Sequence, residues 1–462
     1  MLGKMIVGFP VLLLVVNCTI GQKDTSRMPD VNVPYVAANN PAYPCITPAE
    51  YAILERQCAD NLLRLGFKSS PLAGSNTLAT SLHWPVKLAN GLPDCGYYFI
   101  GAYVDQDKTT NSVKDFNCGT KTYDGHQGTD ISAWPYAFYK MDNNQVEVVA
   151  AAAGIIIQKA DGNFDRNCNS NALTANSIII QHADGSYALY WHLKKNSVTA
   201  KAVGQSVVAG EYLGIVGSSG SSSGPHLHFE LWTGNNSSTY KDPYAGPCNL
   251  LNANSWWEAQ RPHIDPAILK VSANTTDMVL PGCPNTEIPN ESHGFTVPYQ
   301  GAGLAPGYAK FYIFLRDAAA GTSADLRILN PNGSTFNSWV QNLTTIYNAS
   351  YYGYSRLLPT IPGIYTFQAT YNGTSCTWQF QIAAIGAPAT YTFTGNGNWN
   401  VASNWFNNNM PPATLSNGEQ IVIDPAADGE CILNVTQTIS STCGFTVMPG
   451  KKVRLLGNLI RL

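Results

Sequence analysis

Four histidines and one aspartate stand in short motifs whose spacing could bind a metal ion. The stretch "YDGHQGTDI" carries His126 and Asp130, "YALYWHLK" carries His192, and "HLHFELW" carries His226 and His228. Two imidazoles and one carboxylate form a plausible ligand set for catalytic zinc, which keeps a fourth position open for water. These residue types therefore make the three motifs candidates for one hydrolytic metal centre.

The two histidines of "HLHFELW" are expected to face the same side of a strand. Side chains alternate along a strand, so Leu227 and Phe229 should point into the core instead. An H-x-H pair alone is weak evidence, because such pairs arise by chance and structural histidines are common. Glu230 shares the face of His228, where it could either orient a ligand or be a solvated strand residue.

The companion motifs strengthen the prediction of a shared site. Gly128, between His126 and Asp130, allows a tight turn that lets both side chains reach one point. His192 follows a strand pattern that makes it a neighbour in the same sheet, although a histidine packed beside Trp191 would explain it as well.

Short β-rich runs between about residues 81 and 267 must position these motifs. They are "VEVVAAAAGIII", "SIIIQ", "SYALYWHL", "EYLGIVG" and "HLHFELW", separated by glycine, asparagine and aspartate turns. The loop "SSGSSSGP" before His226 has no bulky side chain, so we expect it to give an extended peptide clearance to approach the metal.

Two segments precede this region. Residues 1–21 are predicted to be a signal peptide, because Lys4 and an apolar run lead to small residues; Asn17 disfavours a lipid anchor at Cys18. Residues 22–80 are predicted to form a helical segment that is a brace or a propeptide. Its helix starts at a capping box in "TPAE" and stops near Gly66.

Two β modules are predicted to follow the metal-binding region at 81–267. Residues 271–385 have the alternating strands of an immunoglobulin-like sandwich, and residues 391–462 have short strands that would suit a short β-solenoid. Ten cysteines remain after the signal peptide, and an even number favours disulfides. We expect Cys283 to pair with Cys376 and Cys431 to pair with Cys443.

Composition excludes some partners. The chain has 462 residues, 12% of them charged, and a formal net charge of −3, which is too small and scattered to indicate nucleic acid or an anionic membrane as partner. Beyond residue 21 no segment reads as a membrane span. The predicted location is secreted, extracellular or periplasmic.

Together the motifs resemble the lysostaphin/β-lytic, or LytM-like, family of zinc metallopeptidases, which are peptidoglycan endopeptidases. The resemblance covers roughly residues 81–250 and rests on "HQGTD", "YWHL", "GQSVVAGEYLGIVGSSGSSSGP" and "HLHFE", in family order. It implies a bacterial protein that is mainly β, with a compact antiparallel metallopeptidase domain and an open groove.

The resemblance also implies roles for the five residues. His126, Asp130 and His228 would bind Zn2+, while His192 and His226 would be catalytic, and peptide bonds of peptidoglycan would be cut through a zinc-activated water. The alternatives are a secreted metalloprotease acting on glycine-rich proteins and a catalytically retired cell-surface binding protein. In each case the C-terminal β modules could bind a cell-surface glycan or protein.

Overall fold

The computed structural model describes residues 31–35, 45–66, 80–89, 92, 94–384, 388–416, 418–425 and 429–462, with the backbone alone at 31–35 and at 407. The predicted signal peptide and Cys18 lie outside these residues. Among the helices that are described, none is long and apolar enough to cross a membrane. The fold is mainly β, as the sequence predicts.

The N-terminal segment contains strand β1 (Val31–Tyr35) and helix α1 (Pro48–Arg64). The helix begins at the predicted capping box: the Glu50 N–H donates to Thr47 Oγ1 at 3.2 Å, and the Thr47 N–H donates to Glu50 Oε2 at 2.8 Å. It ends before Gly66, whose φ of 74° is a conformation that glycine adopts without strain. The predicted helix is confirmed at both ends.

Eleven strands and one helix build the region that carries the histidine motifs. They are β2 (Val86–Leu88), β3 (Tyr98–Ala102), β4 (Thr129–Ala133), α2 (Ala137–Asp142), β5 (Val146–Val149), β6 (Gly154–Ala160), β7 (Ser177–Gln181), β8 (Tyr187–Trp191), β9 (Ser206–Val207), β10 (Tyr212–Ile215), β11 (His226–Trp232) and β12 (Tyr240–Lys241), with a short 3-10 helix at Ser237–Thr239. The main antiparallel sheet has the order β3-β4-β11-β8-β7-β6-β9, with β12 also paired to β11, and a smaller sheet has the order β10-β5-β2. Strands β4, β11 and β8 are neighbours, so the three motifs meet on one sheet.

Each face of the main sheet is buried by a different partner. Leu227 and Phe229 enter the large core of this region, as strand alternation predicts. The other face is covered by α1, whose Leu54, Cys58 and Leu62 pack into a cluster that includes Trp191 and Trp232 of the sheet. Burying one leucine contributes about 1.5–3 kcal/mol, so these contacts hold the helix firmly on the sheet.

A two-sheet sandwich follows, as predicted, and its sheets share one core. One sheet has the order β1-β18-β15-β13, and the other has the order β14-β20-β19-β16-β17. Its strands are β13 (Ala267–Asn274), β14 (Gly294–Val297), β15 (Tyr308–Ala318), β16 (Thr322–Leu329), β17 (Thr335–Leu343), β18 (Tyr347–Leu357), β19 (Gly363–Tyr371) and β20 (Thr374–Ala384). Strand β1 pairs antiparallel with β18, so the N-terminal segment supplies an edge strand to this module.

The sandwich is joined to the region that carries the histidine motifs by disulfides and by a shared apolar cluster. Cys95 is bonded to Cys376 and Cys168 to Cys283, while Trp134 packs against Phe314 across the interface. The predicted Cys283–Cys376 bond is therefore wrong. Packing between the two modules brings each of these cysteines to a partner in the other module, and no pattern in the sequence shows that packing.

The C-terminal module is the predicted β-solenoid, with three parallel sheets of three strands each. The sheets have the orders β21-β24-β27, β22-β25-β28 and β23-β26-β29. Their strands are β21 (Thr390–Phe393), β22 (Gly397–Asn398), β23 (Thr414–Leu415), β24 (Gln420–Ile423), β25 (Glu430–Leu433), β26 (Gln437–Ile439), β27 (Gly444–Val447), β28 (Lys452–Leu455) and β29 (Leu459–Arg461), with short 3-10 helices at Ala402–Asn404 and Phe406–Asn408.

The expected bond between Cys431 and Cys443 is also wrong, since both are buried free thiols. Cys431 lies in β25, whereas Cys443 directly precedes β27, which belongs to a different sheet of the solenoid. A solenoid coil turns between its faces, and this turn separates the two sulfurs despite their closeness in sequence.

Peptide mapping tests this cysteine pattern. Digestion of the alkylated, unreduced protein should give three disulfide-linked peptide pairs, Cys95–Cys376, Cys118–Cys248 and Cys168–Cys283, with the solenoid cysteines carrying the alkyl group. A peptide pair joining Cys283 to Cys376 would contradict the interface between the sandwich and the metal-binding region. Digestion after reduction is the control, because every linked pair should then disappear.

Candidate metal centre

Strand pairing brings the predicted ligands together. Asp130 on β4 lies directly opposite His228 on β11, and His228 lies opposite Trp191 at the end of β8. Side chains of directly opposed residues are neighbours in an antiparallel pair. His126 reaches the same point from the turn that precedes β4.

Three ligand atoms converge on one point. His126 Nε2 lies 3.1 Å from Asp130 Oδ1 and 3.1 Å from His228 Nδ1, and His228 Nδ1 lies 2.8 Å from Asp130 Oδ1. Ligands of a tetrahedral zinc ion, with bonds of about 2.0–2.1 Å, are roughly 3.3 Å apart. The three spacings are slightly shorter than this, so a small outward movement would let these atoms bind one zinc ion.

Hydrogen bonds on the far side of each imidazole select the nitrogen that faces the centre. His126 Nδ1 donates to the backbone oxygen of Tyr103 at 2.7 Å, which leaves Nε2 free to bind a metal. His228 Nε2 donates to Glu230 Oε1 at 2.7 Å, which leaves Nδ1 free. A carboxylate behind a ligating histidine fixes its tautomer and raises its basicity.

Glu230 is fully buried, so it is a residue that orients a ligand and not a solvated strand residue. Besides His228 it accepts hydrogen bonds from Trp232 Nε1 at 2.8 Å and from Tyr51 Oη on α1 at 2.5 Å. Three donors around one buried carboxylate hold its orientation, and through it the orientation of the His228 ring.

The side chains at this point alter one another's protonation. Burial opposes the charge of Asp130, but the charges of His126 and His226 hold the pKa of Asp130 well below its usual range. Burial likewise opposes a proton on His126, yet Asp130 raises the pKa of His126 to about 9. A positive charge is thus favoured at this point, which is what a cation-binding site requires.

Gly128 leaves the space that the His228 ring occupies. A Cβ atom at this position would lie 2.6 Å from His228 Cε1 and 2.9 Å from the backbone oxygen of Phe229. From the sequence, Gly128 is expected to allow a tight turn. The structure adds a second reason for glycine, because a side chain at this position has no room. A side chain here would push the ligand ring away from the centre.

His192 and His226 lie beside the three candidate ligands, with ring centroids 4.5 Å apart. Their Nδ1 atoms donate to backbone oxygens of Ser219 at 2.6 Å and of Gly224 at 2.8 Å. Both rings are buried, and neither Nε2 atom has a hydrogen-bond partner within the described part of the chain. Each ring therefore keeps a nitrogen available for chemistry.

Backbone geometry also contributes to the placement of His192. The residue follows β8 with a φ of 66°, in the left-handed region that non-glycine residues rarely adopt. Such a conformation persists only where the surroundings impose it, and functional sites are enriched in it. The hydrogen bond to Ser219 fixes the ring in this position.

The serine-rich loop is packed against neighbouring segments. Ser218 and Ser219 are fully buried, and their hydroxyls donate to the backbone oxygens of Asn167 and Leu193 at 2.7 and 2.8 Å. The small side chains serve to bury the loop and to place the carbonyl that holds His192. The composition of the loop does not show these partners.

Cys45 is the residue at this centre that the sequence did not predict. Its sulfur and the ligand atoms of His126, Asp130 and His228 all lie within 4.8 Å of one another. The sulfur also contacts Tyr123 Oη at 2.7 Å. A cysteine two residues before the helix N-cap was the available signal, but the even total of cysteines suggested a disulfide instead.

The predicted groove is a cleft of about 470 Å³ between α1 and the sheet. Tyr51 and Glu55 of the helix line one side, and His126, Gln127 and His228 line the other. Two of the three candidate ligands, His126 and His228, line this cleft, so a molecule that enters it would reach both imidazoles.

Residues 124–241 match the family model of Peptidase family M23. All five predicted site residues fall within this match, whereas Cys45 and α1 precede it. The match confirms the resemblance to the lysostaphin and LytM-like peptidases that the motifs predict. A comparison with curated proteins gave no match.

Several solved structures are similar to parts of the chain. The catalytic domain of the antimicrobial peptidase lysostaphin from Staphylococcus simulans is 26% identical, with 32% of this chain and 89% of that chain covered and a TM-score of 0.22. A zinc-containing peptidase from Vibrio cholerae is 21% identical, with coverage of 39% and 42% and a TM-score of 0.24. A catalytic-domain mutant of the prophage-encoded M23 protein EnpA from Enterococcus faecalis is 22% identical, with coverage of 36% and 96% and a TM-score of 0.20.

Replacing Glu230 tests the outer hydrogen bonds. Glu230→Gln keeps the size of the side chain but removes the carboxylate behind His228, so affinity for a divalent metal should fall by about 10- to 100-fold. Competition with a chelator measures this affinity. Glu258→Gln, at an exposed glutamate that pairs with His83, is the matched control and should leave the affinity unchanged. Equal affinities for both variants would contradict the orienting role of Glu230.

Proposed function

We propose that this protein is a zinc endopeptidase that hydrolyses peptide bonds of bacterial peptidoglycan. The observation that carries the proposal is the convergence of His126, Asp130 and His228 on one point, with two further histidines beside it. The match of residues 124–241 to a peptidase family supports the reaction class. The similarity of the motifs to peptidoglycan endopeptidases supports the substrate.

The donor set fits zinc. Two imidazole nitrogens and one carboxylate oxygen are ligands that zinc takes in catalytic sites, and outer hydrogen bonds present the correct nitrogen of each ring. Zinc bound there would polarise a peptide carbonyl and lower the pKa of a water molecule towards about 7. Asp130 and the Glu230–His228 pair would supply the negative charge that the ion requires.

His192 and His226 would carry the protons. Burial lowers the pKa of His192, and the charge of His226 lowers it further, so His192 is neutral and its Nε2 can accept a proton from the attacking water. Burial also opposes a proton on His226, but Asp130 raises the pKa of His226 above its usual value. Its Nε2–H can therefore donate a hydrogen bond to the developing oxyanion.

Substitution of the two β11 histidines separates the proposed roles. His228→Ala removes one of three protein ligands and should abolish most zinc binding. His226→Ala should keep near-stoichiometric zinc while hydrolysis slows by about 100-fold or more, as for loss of a positioned acid, base or oxyanion donor. Zinc per folded chain is measured by elemental analysis after dialysis, and hydrolysis by mass spectrometry of fragments from purified peptidoglycan.

His83→Ala is the control for these substitutions, because His83 is about half exposed and pairs only with Glu258 among the described residues. It should retain both zinc and hydrolysis. The ligand assignment is reversed if His226→Ala loses zinc and His228→Ala keeps it. The metallopeptidase proposal fails if both variants keep zinc and activity.

A further inference from the structure

Cys45 reaches the metal centre from outside the segment that matches the peptidase family. Its sulfur lies within 4.8 Å of the ligand atoms of His126, Asp130 and His228. The sulfur lies within the same distance of a ring nitrogen of His192 and of His226. One thiol thus lies close to both the candidate ligands and the candidate proton carriers. The sulfur also lies 2.7 Å from Tyr123 Oη.

Packing of the N-terminal segment fixes the sulfur there. Ile46, the next residue, is 1% exposed and belongs to the same apolar cluster as Leu54, Cys58 and Leu62 of α1. The capping box at Thr47 sets the path of the chain into the helix. Tyr51, one turn along, donates to Glu230 behind His228. The position of Cys45 beside the candidate ligands is therefore part of the larger interface between the N-terminal segment and the main sheet.

We propose that Cys45 is a fourth protein ligand of the metal and that it keeps the full chain latent; the proposal rests on the metal centre of the proposed function. Thiolate sulfur is among the strongest zinc ligands in proteins. Three protein ligands leave a position open for water, whereas four ligands close the tetrahedral shell, as in structural zinc sites. With Cys45 bound, the position needed for hydrolysis is filled.

The surroundings of the thiol agree with a ligand better than with a disulfide cysteine. Cys45 and Cys58 both have free thiols, and Cys58 faces the apolar cluster beneath α1. The buried Nε2 atoms of His192 and His226 have no hydrogen-bond partner in the described residues, and the Cys45 sulfur lies within 4.8 Å of a ring nitrogen of each histidine. Release of Cys45 is the step that opens the centre.

Cobalt substitution tests the ligand directly. The full chain loaded with Co2+ should show a thiolate-to-cobalt charge-transfer band in the near ultraviolet. In Cys45→Ala the band should vanish while the visible bands of bound cobalt persist, because three ligands remain. Cys443→Ala, which removes a free thiol of the solenoid, is the matched control and should keep the band. A wild-type protein that binds cobalt without this band, or a Cys45→Ala protein that retains it, overturns the proposal.

Hydrolysis of a short soluble peptidoglycan peptide tests latency in the same zinc-loaded proteins. If Cys45 fills the open position in nine chains of ten, removing it should raise the rate about tenfold. Wild type and Cys443→Ala should share the low rate. Equal rates in wild type and Cys45→Ala, with zinc bound in both, overturn latency alone. Failure of every variant to bind metal would instead overturn the proposed function.

Discussion

The pairing of β4 with β11 is the constraint on which the site depends. It places Asp130 opposite His228, so a carboxylate and an imidazole meet without any help from a loop. The period of two along β11 then adds His226 to the same face and sends Leu227 into the core. A slip of one residue in this register would bury the ligands in the apolar core and expose the core residues, so the core that stabilises the sheet also protects the centre.

Buried charge links the centre to the rest of the molecule. Glu230 makes this connection, because it orients His228 and accepts hydrogen bonds from Trp232 within β11 and from Tyr51 on α1. A fully buried carboxylate without hydrogen-bond donors would be strongly unfavourable. Each of the three donors to Glu230 therefore also stabilises the folded protein. The N-terminal helix is consequently coupled to the electrostatics of the centre as well as to its apolar surface.

Much of this arrangement could be predicted from local patterns. The strands and the helix cap follow from periodicity and from the cap residues, whereas the choice of His126, Asp130 and His228 as ligands comes from the resemblance to a family. Features set by contacts between distant segments could not be predicted in that way. Cys45 meets the centre through the docking of α1, Cys376 finds Cys95 through the packing of two modules, and Ser219 is ordered by partners far away in the sequence.

The N-terminal segment also completes a sheet in another module. Strand β1 pairs along β18, and without it β18 would be the outermost strand of its sheet. An uncovered outer strand presents a row of unpaired amides and carbonyls, which is a template for any extended chain. Removal of β1 together with α1 would therefore expose a row of backbone groups on the sandwich, and the protein would gain a second surface that can pair with an extended chain.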